Sequence, residues 1–215
     1  MVSRRALYRD ENGSGAAEFA LVLTPLLIVL FGMIDTGRYL WTVNEAEKAT
    51  QVGARVAAVT TPLVQEISST NYIGTTVGST VLTQGDRIPA AALGLIRCTS
   101  AACTCVTAPC PATLTYDTTS VFTNSLLPRM QATLPGLTAA NIVVEYRGSG
   151  NGFAGDPNGP QISPMVTVKL VENSGAATLA GMPLPVITSF MFASLRLPLV
   201  STTLPAEDLS GSTSF

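Results

Sequence analysis

The longest run of apolar positions lies near the N-terminus. Phe19–Ile34 comprises 16 residues without a charged side chain. Counted from Ser14, the run reaches 21 residues, with Glu18 as its one charged member. A helix of about 20 residues spans the roughly 30 Å hydrocarbon core of a bilayer. The pattern therefore predicts a transmembrane helix over residues 14–34.

Small apolar residues continue at helical spacing past this run. The opposite face is polar and no proline interrupts residues 35–59, so the helix is predicted to continue over residues 35–60 and to stop at Thr60-Thr61-Pro62. Small side chains let another backbone approach closely. The stripe therefore packs on the chain's own domain, on a neighbouring subunit, or on both. Its members are Val43, Ala46, Ala49, Gly53, Val56 and Ala57.

The pattern over residues 61–215 predicts a separate domain that contains both strands and short helices. The β-branched stretches Ile142–Tyr146 and Met165–Val171, each bounded by turn residues, predict strands, and Ser194–Leu204 predicts a last strand. Ile88–Arg97 is compatible with a short helix, and Thr178–Phe192 with a helix or a loop. The expected fold is α+β, with a small antiparallel sheet packed on the long N-terminal helix.

Composition narrows the function classes. Charged residues make up 12% of the chain, against roughly 25% in soluble domains, and the net charge of −2 leaves no basic footprint for nucleic acid. The chain contains no histidine, which removes histidine triads, histidine bases and histidine metal ligands. Gly150–Gly155 matches G-x-G-x-x-G, but turn residues follow it instead of a helix. We therefore expect no enzymatic activity, no cofactor, no metal site and no nucleic-acid partner.

The arginines before the apolar run indicate the topology. Arg4, Arg5 and Arg9 place residues 1–13 in the cytoplasm by the positive-inside rule, and everything after the span lies on the far side of the membrane. We expect a chain that crosses the membrane once and carries an exported domain over residues 61–215.

All four cysteines fall within 13 residues, at Cys98, Cys103, Cys105 and Cys110. Outside the cytoplasm disulfides are the expected state. A Cys103–Cys105 bridge is disfavoured because its one-residue loop strains the bond geometry. That leaves Cys98–Cys103 with Cys105–Cys110, or the crossed pairing. A zinc site built from the four thiolates is the other alternative, although the spacing lacks the usual two-residue knuckles.

The junction before the apolar run admits three interpretations. An ordinary secretory signal peptide has a shorter apolar region and a small-x-small cleavage site, whereas this run exits into Asp35 and Thr36. A plain anchor helix would tolerate Glu18 as a charge near the interface. In the third interpretation Glu18 marks a processing site, because it is the fifth residue after Gly13 at the start of an apolar helix.

The third interpretation comes from a resemblance. A glycine with a glutamate five residues later and an apolar helix behind it resembles the processing site of type IV pilins and pseudopilins. Residues 15–22 (Gly-Ala-Ala-Glu-Phe-Ala-Leu-Val), 25–27 (Pro-Leu-Leu) and 31–38 (Phe-Gly-Met-Ile-Asp-Thr-Gly-Arg) look like the TadE-type pseudopilins of tight-adherence (Tad/Flp) pilus systems. Residues 49–58 also resemble TadE-type sequences, so the likeness is specific over residues 13–60.

The resemblance implies a pilin-like fold and a function as a minor pilin or pseudopilin in assembly of a Tad/Flp type IV pilus. Residues 1–13 would be a leader that a prepilin peptidase removes between Gly13 and Ser14. Glu18 would then be the fifth residue of the mature chain, whereas a cut after Gly15 would make it the third. Phe19 would replace the tyrosine usual in the major Flp pilin.

The resemblance also implies partners and a location. The implied partners are the prepilin peptidase, other pilins or pseudopilins, the inner-membrane assembly platform of the pilus, and membrane lipid. The implied location is the bacterial inner membrane, with the N-terminus cytoplasmic and the C-terminal domain periplasmic, and the pilus after assembly. A different class of function stays open, namely an uncleaved, single-pass, membrane-anchored periplasmic binding or adhesion domain.

Electrostatics also explains why a carboxylate is favourable at position 18, independently of the resemblance. Cleavage would expose an α-amine on Ser14, and residues 14 and 18 lie one helical turn apart on the same face. The positive end of the helix dipole also favours a carboxylate there. In a pilus the carboxylate could instead pair with the amine of a neighbouring subunit and so set the register of assembly.

Overall fold

The computed structural model describes residues 14–116, 118–176, 178–184, 186–187, 195–207 and 209. They fall into two compact units. One unit holds the N-terminal residues up to Trp41 together with those of Leu184–Leu195, and the other holds Thr42–Pro183 and the residues from Arg196 onward. The first helix among the described residues has residues in both units.

Helix α1 runs from Ser14 to Val59, a length of 46 residues with Pro25 inside it. At 1.5 Å per residue this helix is about 69 Å long. Its end follows from local chemistry, because the backbone N–H and the hydroxyl of Thr60 both donate to the carbonyl of Val56, at 3.1 and 2.8 Å. Pro62 then follows, and proline cannot continue a helix.

The second unit contains an antiparallel five-stranded sheet and several short elements. The sheet has the order β4-β3-β5-β6-β7, and each neighbouring pair is antiparallel. The strands are β1 (Thr76–Val77), β2 (Thr80–Val81), β3 (Leu95–Cys98), β4 (Cys103–Thr107), β5 (Ile142–Arg147), β6 (Met165–Leu170) and β7 (Val200–Pro205), of which β1 and β2 form a separate hairpin. The shorter helices are α2 (Glu66–Ser69), a π-helical segment (Thr118–Leu126) that leads into α3 (Leu127–Gln131), and 3-10 turns at Ala90–Ala92 and Ala139–Asn141.

The α+β class and the strands predicted over Ile142–Tyr146 and Met165–Val171 are confirmed, and one predicted helix is wrong. The prediction of a helix over Ile88–Arg97 fails, because only Ala90–Ala92 form a 3-10 turn and Leu95–Cys98 is a strand. The backbone of Gly94 explains the change: a Cβ at this position would lie 1.8 Å from the carbonyl oxygen of Thr107. This close approach lets β3 pair with β4 on one side and β5 on the other. In the described part of Thr178–Phe192 the chain forms no helix; it has a bend at Thr178, an isolated bridge at Pro183 and a turn at Ile187.

The core lies between one face of the sheet and the C-terminal part of α1. Ile142, Val144 and Tyr146 alternate along β5 into this core, where they join the fully buried Ala46 and Ala49 of α1. The hydroxyls of Thr50 and Thr202 lie 2.9 Å apart and connect α1 to β7. Residues 42–59 of α1 are therefore the second layer of the domain.

The opposite face of the sheet carries a charged cluster. The carboxylate of Glu145 on β5 lies 2.9 Å from Nε of Arg97 on β3 and 2.7 Å from Nζ of Lys169 on β6. The Glu145 side chain is only 7% exposed, so its charge requires such partners. These two ion pairs connect the three central strands across the face away from α1.

Two disulfides constrain the edge strand β4 beside this cluster. Cys98 pairs with Cys103 across the turn between β3 and β4, and Cys105 pairs with Cys110 beyond the end of β4. This is the first of the two pairings left open by the sequence. The two bridges close loops of the same length, since both have a sequence separation of 5. They differ in surroundings, because Cys98 is fully buried in the core whereas Cys105 is exposed.

Removing each bridge should therefore have unequal effects on stability. We expect the Cys105→Ala/Cys110→Ala protein to lose about 2 kcal/mol of unfolding free energy, the entropic value for so short a loop. The Cys98→Ala/Cys103→Ala protein should lose about 1 kcal/mol more, because truncation at Cys98 also leaves a small cavity in the core. Urea unfolding in detergent, followed by far-ultraviolet circular dichroism, measures the difference. Equal losses would contradict the assignment of Cys98 to the core.

Candidate assembly site on the N-terminal helix

The residues predicted to carry processing and assembly lie at the start of α1. Gly13 lies outside the described residues, and Ser14 is the first residue of the helix. Glu18 follows one turn later on the same helix, and Phe19 is 66% exposed. The four cysteines belong to the sheet unit, where they form two disulfides.

The apolar run after Glu18 presents its side chains outward. Leu21 is 77% exposed and Met33 is 70% exposed, and none of the most apolar 18-residue window of the helix is buried. Among the described residues, this is one helix that is long and apolar enough to cross a membrane. Because an exposed apolar surface of this extent is unfavourable in water, it requires lipid or the helices of other proteins around it. The other exposed apolar residues are Val22, Leu26, Leu27, Val29, Leu30 and Ile34.

Aromatic residues follow the apolar run directly. Trp41, the only tryptophan in the chain, is 68% exposed, and Tyr39 is partly exposed two residues earlier. Tryptophan and tyrosine favour the headgroup level of a membrane, where an apolar ring meets water. Their position agrees with an interface just beyond Ile34.

Asp35 is a functional candidate that the sequence reasoning missed. It lies one residue after the apolar run, yet it is only 7% exposed. Its Oδ1 accepts a hydrogen bond from the backbone N–H of Ile187 at 3.0 Å. In the sequence, only the position of Asp35 at the end of the apolar run pointed to this residue. Its hydrogen-bond donor, Ile187, lies 152 residues further along the chain and is not indicated by any local pattern.

The small residues in the second part of α1 pack on the chain's own domain. Ala46 and Ala49 are completely buried in the core, and an added Cβ at Gly53 would lie 2.6 Å from Sδ of the buried Met130 on α3. The sequence left open whether residues 46–57 pack on the chain's own domain or on a neighbouring subunit, and in the structure they pack on the chain's own domain. The outward-facing apolar surface of α1 therefore lies in the earlier part of the helix.

Hydrogen bonds hold the end of α1 to the sheet. The hydroxyl of Tyr146, near the end of β5, accepts a hydrogen bond from the N–H of Leu63 at 3.1 Å. Complete burial holds the pKa of the Tyr146 hydroxyl far above its usual range, so this group stays protonated and neutral. The N–H of Glu207 donates to the carbonyl of Ala58 at 3.0 Å. These bonds hold the segment after α1 to β5 and the segment after β7 to the helix end.

The loop with the dinucleotide-like spacing has a turn conformation. Gly150, Gly152 and Gly155 have φ values of 81°, 126° and 76°, which a helix cannot use. The Asp156 carboxylate accepts a hydrogen bond from the N–H of Asn158 at 2.9 Å within a local turn. Within the described ranges, no group of three or more His, Cys, Asp or Glu residues could hold a metal ion.

The close packing at Gly53 predicts that a larger side chain at this position destabilises the fold. We expect Gly53→Leu to lower the unfolding free energy by about 1–3 kcal/mol, because the added side chain must displace Met130 from a filled core. Gly37→Leu is the matched control on the same helix, since an added Cβ there meets nothing within 4 Å. It should change stability by less than about 0.5 kcal/mol. Urea unfolding in detergent compares the two, and an equal loss in both would contradict the packing.

Comparison with known proteins identifies one segment of the chain. Residues 13–55 match the family described as TadE-like protein, a structural and non-enzymatic family. No curated protein and no solved structure matches the chain. The match begins at Gly13 and ends within α1, so it covers the helix start, the apolar run and most of the small-residue stripe. The N-terminal segment that carries the candidate assembly site is TadE-like.

Proposed function

We propose that this protein is a minor pilin or pseudopilin that takes part in assembly of a Tad/Flp type IV pilus. The observation that carries the proposal is the TadE-like match, which begins at Gly13 and covers a helix with an exposed apolar surface. In this proposal a prepilin peptidase removes residues 1–13 between Gly13 and Ser14. The chain acts as the substrate of that peptidase and contributes no catalytic residue.

Before assembly the protein would be held in the bacterial inner membrane. The exposed apolar run of α1 supports a single span, and Arg4, Arg5 and Arg9 support a cytoplasmic N-terminus. The domain that begins at residue 61 would then lie in the periplasm. Two disulfides among the described residues agree with that oxidising compartment.

During assembly the apolar run would exchange lipid for the helices of other pilins and of the assembly platform. A carboxylate in such surroundings is unfavourable unless a cation pairs with it. The α-amine created on Ser14 by cleavage is the nearest candidate in sequence, and the same amine of a neighbouring subunit is the other. Pairing with the neighbour would be productive only at one stagger between the two helices, so Glu18 would set the register of the bundle.

The second part of α1 would transmit the movement of the helix to the exported domain. Ala46 and Ala49 are enclosed by the core, and Thr50 is hydrogen-bonded to Thr202 of the edge strand β7. Because these contacts lie inside the same compact unit, lifting residues 42–59 would move the sheet with them. A pilin needs this property if its domain is to follow the helix into the fibre.

The mass of the mature protein tests the proposed processing. We expect coexpression with a prepilin peptidase to give a chain that starts at Ser14, which intact mass and N-terminal sequencing identify. Gly13→Leu should abolish the cut, whereas Gly15→Leu is the matched control and should leave it, since an added Cβ at Gly15 meets nothing within 4 Å. An intact leader in the presence of an active peptidase would instead support the uncleaved periplasmic binding or adhesion domain.

The role of Glu18 predicts a loss of assembly without a loss of anchoring. We expect Glu18→Ala to insert into the membrane normally while the protein recovered in sheared pili falls by on the order of ten-fold or more, as for removal of one partner of a buried ion pair. Glu47→Ala removes an exposed carboxylate elsewhere on the same helix and should have no effect. Immunoblots of membrane and sheared fractions measure both variants. Normal recovery of Glu18→Ala in pili would disprove the register role.

A further inference from the structure

We propose that the chain has a second membrane-contacting element, formed by Leu184, Val186, Ile187 and Leu195, and that the groove between this element and α1 takes a lipid acyl chain. This inference rests on the proposed function, in which α1 anchors the protein in the membrane. It assigns a second membrane contact to residues that are far from the anchor helix in sequence. Three observations inside the first compact unit support it.

The first observation is the attachment of this element to the end of the apolar run. The carboxylate of Asp35 accepts the hydrogen bond from the backbone N–H of Ile187. The N–H of Leu184 donates to the carbonyl of Leu195 at 2.9 Å, so these two residues are held side by side. The element is therefore held beside the helix turn at which the apolar run ends.

The second observation is the apolar character of the element. The sequence contains no charged residue from Asn173 to Leu195. The side chains of Ile187 and Leu195 are 47% and 37% exposed. Exposed apolar residues next to the apolar surface of an anchor helix extend that surface, and a surface of this kind indicates a membrane or another apolar partner.

The third observation is the groove itself. Its volume is about 640 Å³, within the range of pockets that bind small ligands. Val29, Gly32, Met33 and Tyr39 of α1 line one side, and Val186 and Leu195 line the other. A Cβ added at Gly32 would meet nothing within 4 Å, so the groove is open beside this glycine.

The position of the groove beside the membrane-spanning run indicates that lipid occupies it. Val29 and Gly32 belong to the uncharged run that ends at Ile34, so the groove reaches about 7 Å along the helix into the hydrocarbon. Water in an apolar groove at that depth is unfavourable. The acyl chains that surround the helix are the material available to fill it. Asp35 lies just beyond, where the headgroups begin.

Fluorescence quenching in vesicles tests this contact. The full chain is placed in phosphatidylcholine vesicles whose acyl chains carry bromine, which quenches tryptophan on contact. Trp41, the single native tryptophan, reports the anchor. In the Trp41→Phe/Ile187→Trp protein the reporter moves to the proposed element. We expect its fluorescence loss to be comparable with that of Trp41 in the wild-type chain.

A matched reporter on the sheet unit is the control. Val106 on β4 is 46% exposed, close to the value for Ile187. The Trp41→Phe/Val106→Trp protein should show no quenching by brominated lipid. If tryptophan at 187 is unquenched while Trp41 is quenched, the inference is overturned and the anchor stands. If Trp41 is unquenched as well, membrane anchoring itself fails. Crosslinking of residue 187 to a second copy, in place of quenching, would assign the groove to a neighbouring subunit and overturn the lipid contact.

Asp35 is the positioning residue of this element, and its substitution gives a separate readout. In the Trp41→Phe/Ile187→Trp background, Asp35→Asn keeps an oxygen acceptor for the N–H of residue 187 and should retain the quenching. Asp35→Leu lacks an acceptor and should reduce it, with the circular dichroism of the sheet unit unchanged. Equal quenching in both variants would show that Asp35 does not hold the element at the membrane.

Discussion

The packing of small residues of α1 into the core of the sheet unit is the contact on which the rest of the structure depends. Ala46 and Ala49 lose all solvent exposure there, and Gly53 allows α3 to approach until Met130 fills the remaining space. Larger side chains would hold the sheet away from the helix. Because this part of α1 is occupied by its own domain, the earlier apolar part of the same helix is the part available for lipid or for other helices.

Two kinds of polar contact support this arrangement without weakening the core. The hydroxyl of Tyr146 reaches through the core to the N–H of Leu63, where the chain leaves the helix, and its burial keeps it neutral. On the outer face Glu145 shares its carboxylate between Arg97 and Lys169, which lie on the strands at either side. Cross-strand pairs of opposite charge favour this strand order over its alternatives. The disulfides then secure the edge strand β4, which has a neighbour on one side only.

Asp35 and Glu18 show that the two charges bordering the apolar run have different surroundings. Glu18 lies at the start of the helix on its exposed surface, where cleavage or assembly would supply the proposed amine partner. Asp35 lies at the other end and accepts a hydrogen bond from the backbone N–H of Ile187. A carboxylate is costly at both levels, so each one requires a hydrogen-bond donor or a cation. The proposed functions of the two residues follow from this common requirement.

The amino-acid order by itself determined the long helix, its apolar run, the strands β5 and β6, and the TadE-like character of the N-terminal segment. These features depend on periodicity, charge placement and short motifs, which act between residues close in the chain. The tertiary structure alone decided that Leu95–Cys98 is a strand, because its neighbours β4 and β5 supply the hydrogen bonds that a helix would have supplied internally. It also decided where the small-residue stripe packs and what Asp35 binds, since Met130 and Ile187 reach those positions only after the intervening chain has folded.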